Sequence, residues 1–422
     1  MSRLKASLAI AVAASFALTG CGGNNAETGS AGKGGAPSGE LSFATWQFLE
    51  PNRGEKIFEA INGFTTVNKD VTIKKVEVAR ADYEKTLSTQ FGAGAGPDIF
   101  VIPDAFFPQL TDAGILEPLD DVVSAANAQG FRDINNNYKV DGKQYGVVWE
   151  VVPYATFWNK DILEKAGVQP PTDVKSLISA ADKIKSATGK TGFTVRHQMN
   201  EETPWWTDFS NWVFGYGGAW SDGTKLTINS PENVEALTAF KSVYGAPGFG
   251  KGQDASTYRS AFSAGELGMA IDNSSAVMTL ISDKVPATGI GSAVLPFPAG
   301  GSAFAGFSIG VNANSKNKDA AKEYIKWLLS SDAQQTMANT LFPSATATNV
   351  QASADLTSAN PWVSAFSEQV NNASSVNIKG FDVKTAEIRT LVLTQVERAL
   401  TQDVSPQAAF DEAQKQAEAL VK

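Results

Sequence analysis

The stretch from Leu41 to Ile102 switches repeatedly between two sequence periods, and that switching restricts the fold of this 422-residue chain more than any other feature. Leu41-Ser42-Phe43-Ala44-Thr45-Trp46 alternates like a strand, and Gly54 to Phe64 carries apolar residues at helical spacing. Val71 to Val78 is predicted as the next strand and Ala81 to Phe91 as a helix. Gly94-Ala95-Gly96-Pro97-Asp98 then turns into the short apolar strand Ile99 to Ile102. The order is β-α-β-α-β, which places the chain in the α/β class. Further on, Asp141-Gly142 predicts a hairpin turn between Tyr138-Lys139-Val140 and Gln144 to Val148. Helices are expected from Asn159 to Gly167, from Asp173 to Ala187 after Pro170-Pro171, and from Lys384 to Lys422 with a break near Ser405-Pro406. No internal repeat is visible. The roughly 380 residues of the expected body exceed what one hydrophobic core serves, so two lobes are predicted.

The chain holds one cysteine, Cys21, and one histidine, His197. Arg3 and Lys5 precede the apolar run Leu8 to Leu18, a charged and then a hydrophobic region of signal-peptide type that is too short to span a bilayer. The ending Leu18-Thr19-Gly20-Cys21 resembles the lipobox of bacterial lipoproteins, in which the cysteine becomes the lipid-bearing first residue of the mature chain. That resemblance implies a signal peptide over 1 to 20 and an extracytoplasmic protein held at the outer face of the cell membrane by a lipid on Cys21. Residues 21 to 39, rich in Gly, Ser, Ala and Asn, are expected to form a flexible tether. With Cys21 lipidated, no thiol is left for a disulfide or for catalysis. Loss of the signal leaves 33 basic against 44 acidic residues, a formal charge of −11, which argues against a nucleic-acid partner.

Several segments, in order, resemble the extracellular solute-binding proteins of ABC importers, in the carbohydrate-binding group that includes the maltose-binding protein. They are Gly94 to Ile99, Asp141 to Val147, and Phe157-Trp158-Asn159-Lys160-Asp161 with Lys165-Ala166-Gly167, Pro171 and Thr172. Phe262-Ser263-Ala264-Gly265 with Gly268-Met269-Ala270, and Asn314 to Lys318 with Ala320, Ala321 and Gln334, complete the series. Trp158 stands where the group usually has Tyr. The resemblance implies the periplasmic-binding-protein fold, two α/β lobes with a ligand cleft between them, joined by hinge crossings. It places 40 to 148 and 296 to 329 in the first lobe, and 149 to 295 and 330 to 422 in the second. It also implies a monomeric receptor, not an enzyme and without a cofactor, that passes a carbohydrate to an ABC permease.

Four of the nine tryptophans, Trp205, Trp206, Trp212 and Trp220, fall within sixteen residues. Indole faces pack on the C–H faces of sugar rings while the N–H keeps a polar handle, so Trp205, Trp206 and Trp220 are candidate stacking residues and Trp212 a core residue. Trp46 ends the first predicted strand, and ligands of open α/β sheets bind beyond the carboxyl ends of strands. Gln47 and Glu50 share its loop. Asp104 follows the third strand, in a loop where the family pattern has a hydroxyl-binding acid. Trp149, Glu150 and Tyr154 lie where the chain is expected to cross between lobes. Asp272 and Asn273 follow a predicted strand, and Phe304 and Phe307, with Gly306, are assigned to a cleft loop. A polyol or glycerophosphodiester ligand is the alternative; it would require a phosphate-matching arginine, for which Arg53, Arg80 and Arg196 are candidates.

Gly306-Phe307-Ser308-Ile309-Gly310 matches a nucleophile elbow, but that motif needs a helix directly after the serine and a later histidine; residues 311 to 314 read as strand and loop, and His197 comes earlier. Asp133 to Asp141 begins like a calcium loop, yet Tyr138 takes the glycine position and Gln144 that of the bidentate glutamate. A secreted glycoside-active enzyme, needing only two suitably spaced carboxylates, is the rival function. His197 alone cannot build a zinc site, and no metal is expected.

Overall fold

The computed structural model describes residues 38–50, 53–124 and 130–422. Cys21, the signal segment and most of the expected tether lie outside the described residues. The opening β-α-β-α-β unit forms as its periods predict. Strand β1 (Gly39–Ala44) lies between β2 (Val71–Val76) and β3 (Ile99–Pro103), parallel to both, with helices Gly54–Asn62 and Tyr83–Gly92 in the connections. Strand β1 stops two residues before Trp46, because the Thr45 hydroxyl accepts a hydrogen bond from the Gln47 N–H at 3.2 Å and starts a single helical turn, Trp46–Leu49.

The predicted hairpin is present as β4 (Lys139–Val140) and β5 (Lys143–Gln144), paired antiparallel. Asp141 and Gly142 between them take φ values of 50° and 79°, the two positive angles that a type I′ turn demands. Asn159 caps helix Lys160–Ala166, and Asp173 forms a reciprocal capping box with Ser176 at the start of Val174–Thr188. Ser405 caps Pro406–Leu420 directly after the break that ends Thr385–Thr401.

The centre of the molecule is β6 (Val147–Asn159), thirteen residues that are all buried. Its first half pairs antiparallel with β10 (Ser302–Val311), and its second half with β8 (Leu267–Asn273) and β9 (Ile290–Ala293). With β7 (Thr191–Thr194) parallel to β8, and β11 (Ala373–Ser374) on the edge of β10, one path runs β2-β1-β3-β10-β6-β8-β7. A strand covered on both faces reads as a largely apolar run, and β6 does so apart from the buried Glu150, Thr156 and Asn159.

Side chains along β6 pass from one core to the next. Val147, Val148, Trp149 and Val151 belong to a first core with Phe43, Ile102, Tyr138 and Tyr324. Tyr154 and Trp158 enter a second core with Trp205, Trp206, Trp212 and Phe410. Ala155 and Phe157, on the opposite face by the two-residue period, enter a third with Tyr258, Phe262 and Trp362. Met337, Leu341 and Ala347, from the 330 to 422 segment, lie in the first core. No helix among the described residues is long and apolar enough to cross a membrane.

Candidate functional site

Between Phe307 and Ser308 the register of β10 against β6 slips: Phe307 faces Glu150 and Ser308 faces Val148, so Trp149 is the extra residue of a bulge. Adjacent residues of a regular strand point to opposite faces; the bulge re-aims one of them. Trp149 and Glu150 consequently meet the same side chain, Gln47. The Trp149 indole N–H donates to Gln47 Oε1 at 2.7 Å, and Gln47 Nε2 donates to Glu150 at 2.6 Å. Arg53 donates to the second Glu150 oxygen at 2.6 Å and to Glu50 at 3.1 Å, and the Ser344 hydroxyl donates to Glu150 at 2.7 Å. Glu150, only 1 % exposed, is therefore fully engaged by protein donors. Burial raises the Glu50 pKa, against the pull of Arg53.

Asp104 follows β3 as expected, buried beside β10. Tyr138 donates to its carboxylate at 2.5 Å, Ser375 lies at 3.5 Å, and Asn377 donates to its backbone carbonyl at 2.8 Å. Burial pushes its pKa up to about 6, with the Tyr138 and Ser375 contacts opposing the shift. Gly306 is required here, since a Cβ at that position would stand 2.5 and 2.6 Å from the two Asp104 oxygens.

The C-terminal ends of β7 and β8 carry a second cluster. Arg196 pairs with Asp208 and, at 3.2 Å, with Glu201. Arg259 grips Asp272 with two nitrogens, at 2.8 and 2.9 Å, and Tyr258 donates to Asp272 at 2.7 Å. Tyr154 lies in the field of both pairs; burial and the Asp208 charge hold its hydroxyl well above the usual tyrosine range. Burial likewise raises Asp208, which Arg196 opposes. Asp208 Oδ1 and the Trp205 indole N–H are buried without a hydrogen-bond partner among the described residues. They sit three apart on helix Glu202–Gly215, hence on one face.

Two bridges connect the clusters. Ser344, bonded to Glu150, lies 3.3 Å from Ser275 just beyond Asn273. Residues 375 to 377 touch Asp104, while the Val376 carbonyl accepts from the Trp206 indole at 2.9 Å.

Several sequence-based assignments change. Trp206 and Trp220 stack on each other at 4.3 Å and 24° inside the second core, and Trp220 gives its N–H to Ser210 at 3.0 Å, so their faces and polar handles meet protein groups. Trp212 packs between Phe240 and Phe297, as expected of a core residue. Trp46 is buried edge-on against Tyr83 and Phe307. Phe304, Gly306 and Phe307 lie within β10 instead of a loop, with Phe304 in the first core; Asp272 and Asn273 end β8, and Asn273 caps the next helix. The long pairing with β6 and β3 explains the first correction, and the pairing of Tyr154 and Ala155 with Asn273 and Asp272 the second. Asp208, Arg259, Tyr258, Tyr138 and Ser344 were not predicted; the one sequence signal was Asp208, an acid inside the tryptophan-rich helical run.

Ser308 sits in mid-strand, paired with Ile102 and Val148, so the elbow geometry is absent. His197 is committed elsewhere: its Nδ1 lies 2.7 Å from the Val195 carbonyl, and its Nε2 accepts from the Gly252 N–H at 2.9 Å. In the calcium-like segment, the Asn135 side chain holds the backbone at Arg132, Ala347 and Val148.

Comparison with known proteins gives the family. A putative binding protein of Brucella abortus is 28% identical over 313 residues, 69% of this chain and 71% of the relative. The diacetylchitobiose binding protein of Streptomyces coelicolor is 26% identical over 265 residues, 58% of this chain and 60% of the relative. The crystal structure of the cyclic alpha-maltosyl-1,6-maltose binding protein from Arthrobacter globiformis superposes with a TM-score of 0.79 at 21% identity, covering 91% of this chain and 99% of that one. The architecture is thus the periplasmic-binding-protein fold. Residues 51–335 match the family described as bacterial extracellular solute-binding protein, and the chain belongs to that family.

Proposed function

We propose that the protein is the receptor of an ABC importer and captures a neutral oligosaccharide outside the cell between two hinged lobes. The observation that carries this reading is the charge balance of the two clusters. Arg53, Arg196 and Arg259 each already hold a carboxylate, and Arg80 pairs with Glu84 at 3.2 Å while lying over Trp46, so each of these four arginines beside the two clusters has its charge matched before a phosphodiester arrives. Among the buried side-chain atoms without a hydrogen-bond partner, an acceptor beside the arginine–carboxylate pairs, Asp208 Oδ1, and a donor, the Trp205 N–H, share one helix face, with the Trp212 N–H one turn further on. A hydroxyl group both donates and accepts, and it answers that pair. The names of the Streptomyces relative and the Arthrobacter neighbour agree with an oligosaccharide as the class.

In this reading Gln47, Glu50, Asp104, Trp149 and Glu150 shape the first wall of the cleft, and Tyr154, Trp205, Asp272 and Asn273 the second. Trp46, Phe307 and the Trp206–Trp220 stack back the two walls, and Phe304 supports Asp104 from within β10. In this reading the lobes take the division expected from the sequence, with Trp149, Val151, Met337, Leu341, Ala347 and Val370 packing in the first core and Phe297 in the second. A lipid on Cys21 would tether a monomer to the outer membrane face. This rests on the lipobox-like run, and a Cys21→Ala variant recovered in the membrane fraction instead of the medium would contradict it.

The test is a thermal-shift screen against maltotriose, diacetylchitobiose, polyols and a glycerophosphodiester. A ligand at about a hundred times its Kd stabilises the native state by about 2.7 kcal/mol. A saturable rise with an oligosaccharide supports the reading, and a response confined to the glycerophosphodiester overturns it.

A further inference from the structure

Arg132 differs from the cleft arginines in having no carboxylate within ion-pair reach among the described residues. Its Nε donates to the Thr348 carbonyl at 2.7 Å, which leaves the two terminal nitrogens of the fork for another acceptor. The side chain is partly buried, and burial lowers its pKa. Guanidinium groups removed from water are normally paired, so an uncompensated one points to a missing anion. Arg132 lines a cavity of 400 Å³ with Asn349, Asn371 and Ser374, exposed side chains that offer neutral amide and hydroxyl donors, and with Asn137, whose amide also donates to the Ile134 carbonyl at 2.8 Å; Asp133 is exposed at the same rim. The cavity shares no residue with the candidate cleft and lies where the turn Asp133–Tyr138 faces the turn Val370–Asn372 and β11.

We propose that this cavity is an accessory anion site that takes a small carboxylate on Arg132. One guanidinium beside one rim carboxylate suits a singly charged, planar group that a two-nitrogen fork can hold, and disfavours a phosphate dianion. The site is independent of the solute assignment. Acetate is the probe, titrated into the full-length protein against chloride and phosphate at matched ionic strength, with thermal shift and calorimetry as readouts. Saturable acetate binding is expected, weakened at least about tenfold in Arg132→Gln and less in Asn371→Ala, with far-ultraviolet circular dichroism unchanged. Should Arg132→Gln fail to fold, Arg132→Lys keeps a donor and a charge but loses the fork, and is expected to weaken acetate binding as well. Absence of saturable acetate binding, equal binding in these variants, or a preference for phosphate would each overturn the proposal.

Discussion

The two walls of the candidate cleft hold similar residues in opposite states of completion. In the first, Gln47, Arg53 and Ser344 use up both oxygens of Glu150, and Trp149 anchors Gln47 in turn. In the second, Arg196–Asp208 and Arg259–Asp272 are paired as charges, yet one Asp208 oxygen and the Trp205 N–H are left over. A buried polar group without a partner costs about 1–3 kcal/mol. Where such a donor and acceptor share one face, a hydroxyl from outside the chain can complete both. In the proposed reading the first wall is therefore a finished scaffold, and the second a surface that the solute finishes.

Removing parts of each wall sharpens the contrast. The largest effect is expected from Trp220→Ala, which deletes half of a buried stack behind the second wall; chemical denaturation should show a loss of about 3–5 kcal/mol. Glu150→Ala leaves Arg53 and Gln47 without their acceptor in the finished wall, and should cost about 2–3 kcal/mol, since Arg53 keeps Glu50 and some water. A Glu150→Ala protein as stable as the parent would show that this wall is not the scaffold described here.

Asp104→Asn should act in the other direction. A carboxyl whose folded pKa is raised from 3.8 to about 6 favours the fold fully below its unfolded value, and that contribution is lost as pH rises through about 6. The asparagine variant is therefore expected to be more stable than the parent by about 1–3 kcal/mol at pH 8, with the difference vanishing below pH 4. His197 makes the smallest and opposite contribution. Burial lowers its pKa from 6.5, so its stabilising effect is present above that value and is lost as pH falls below it. Replacing His197 by Gln should flatten the stability profile below pH 6.5, as thermal melts on the acid side of that value would reveal.

What the sequence made legible was local. The Asp141-Gly142 turn, the Asp173 cap, the Ser405-Pro406 break and the opening β-α-β-α-β unit all follow from chemistry within a few residues, and all are present. The candidate site depended on contacts that no local pattern encodes. The bulge at Trp149 arises from how β10 meets β6, more than 150 positions later in the chain. Arg196, Asp208, Arg259 and Asp272 come together only because β7 and β8 lie side by side. The density of tryptophan between 205 and 220 pointed to the correct helix, but aromatic residues serve cores and ligands alike, and only the structure separates Trp205, with its open N–H, from the Trp206–Trp220 stack.

Trp205→Phe tests the central claim most directly, because it removes the unpartnered donor and keeps a buried aromatic ring. Its melting temperature and its affinity for the oligosaccharide that stabilises the parent protein are to be measured together. The account predicts an unchanged or slightly raised melting temperature and an affinity about three- to tenfold weaker, the worth of one hydrogen bond to the solute. Unchanged affinity with unchanged stability would contradict it.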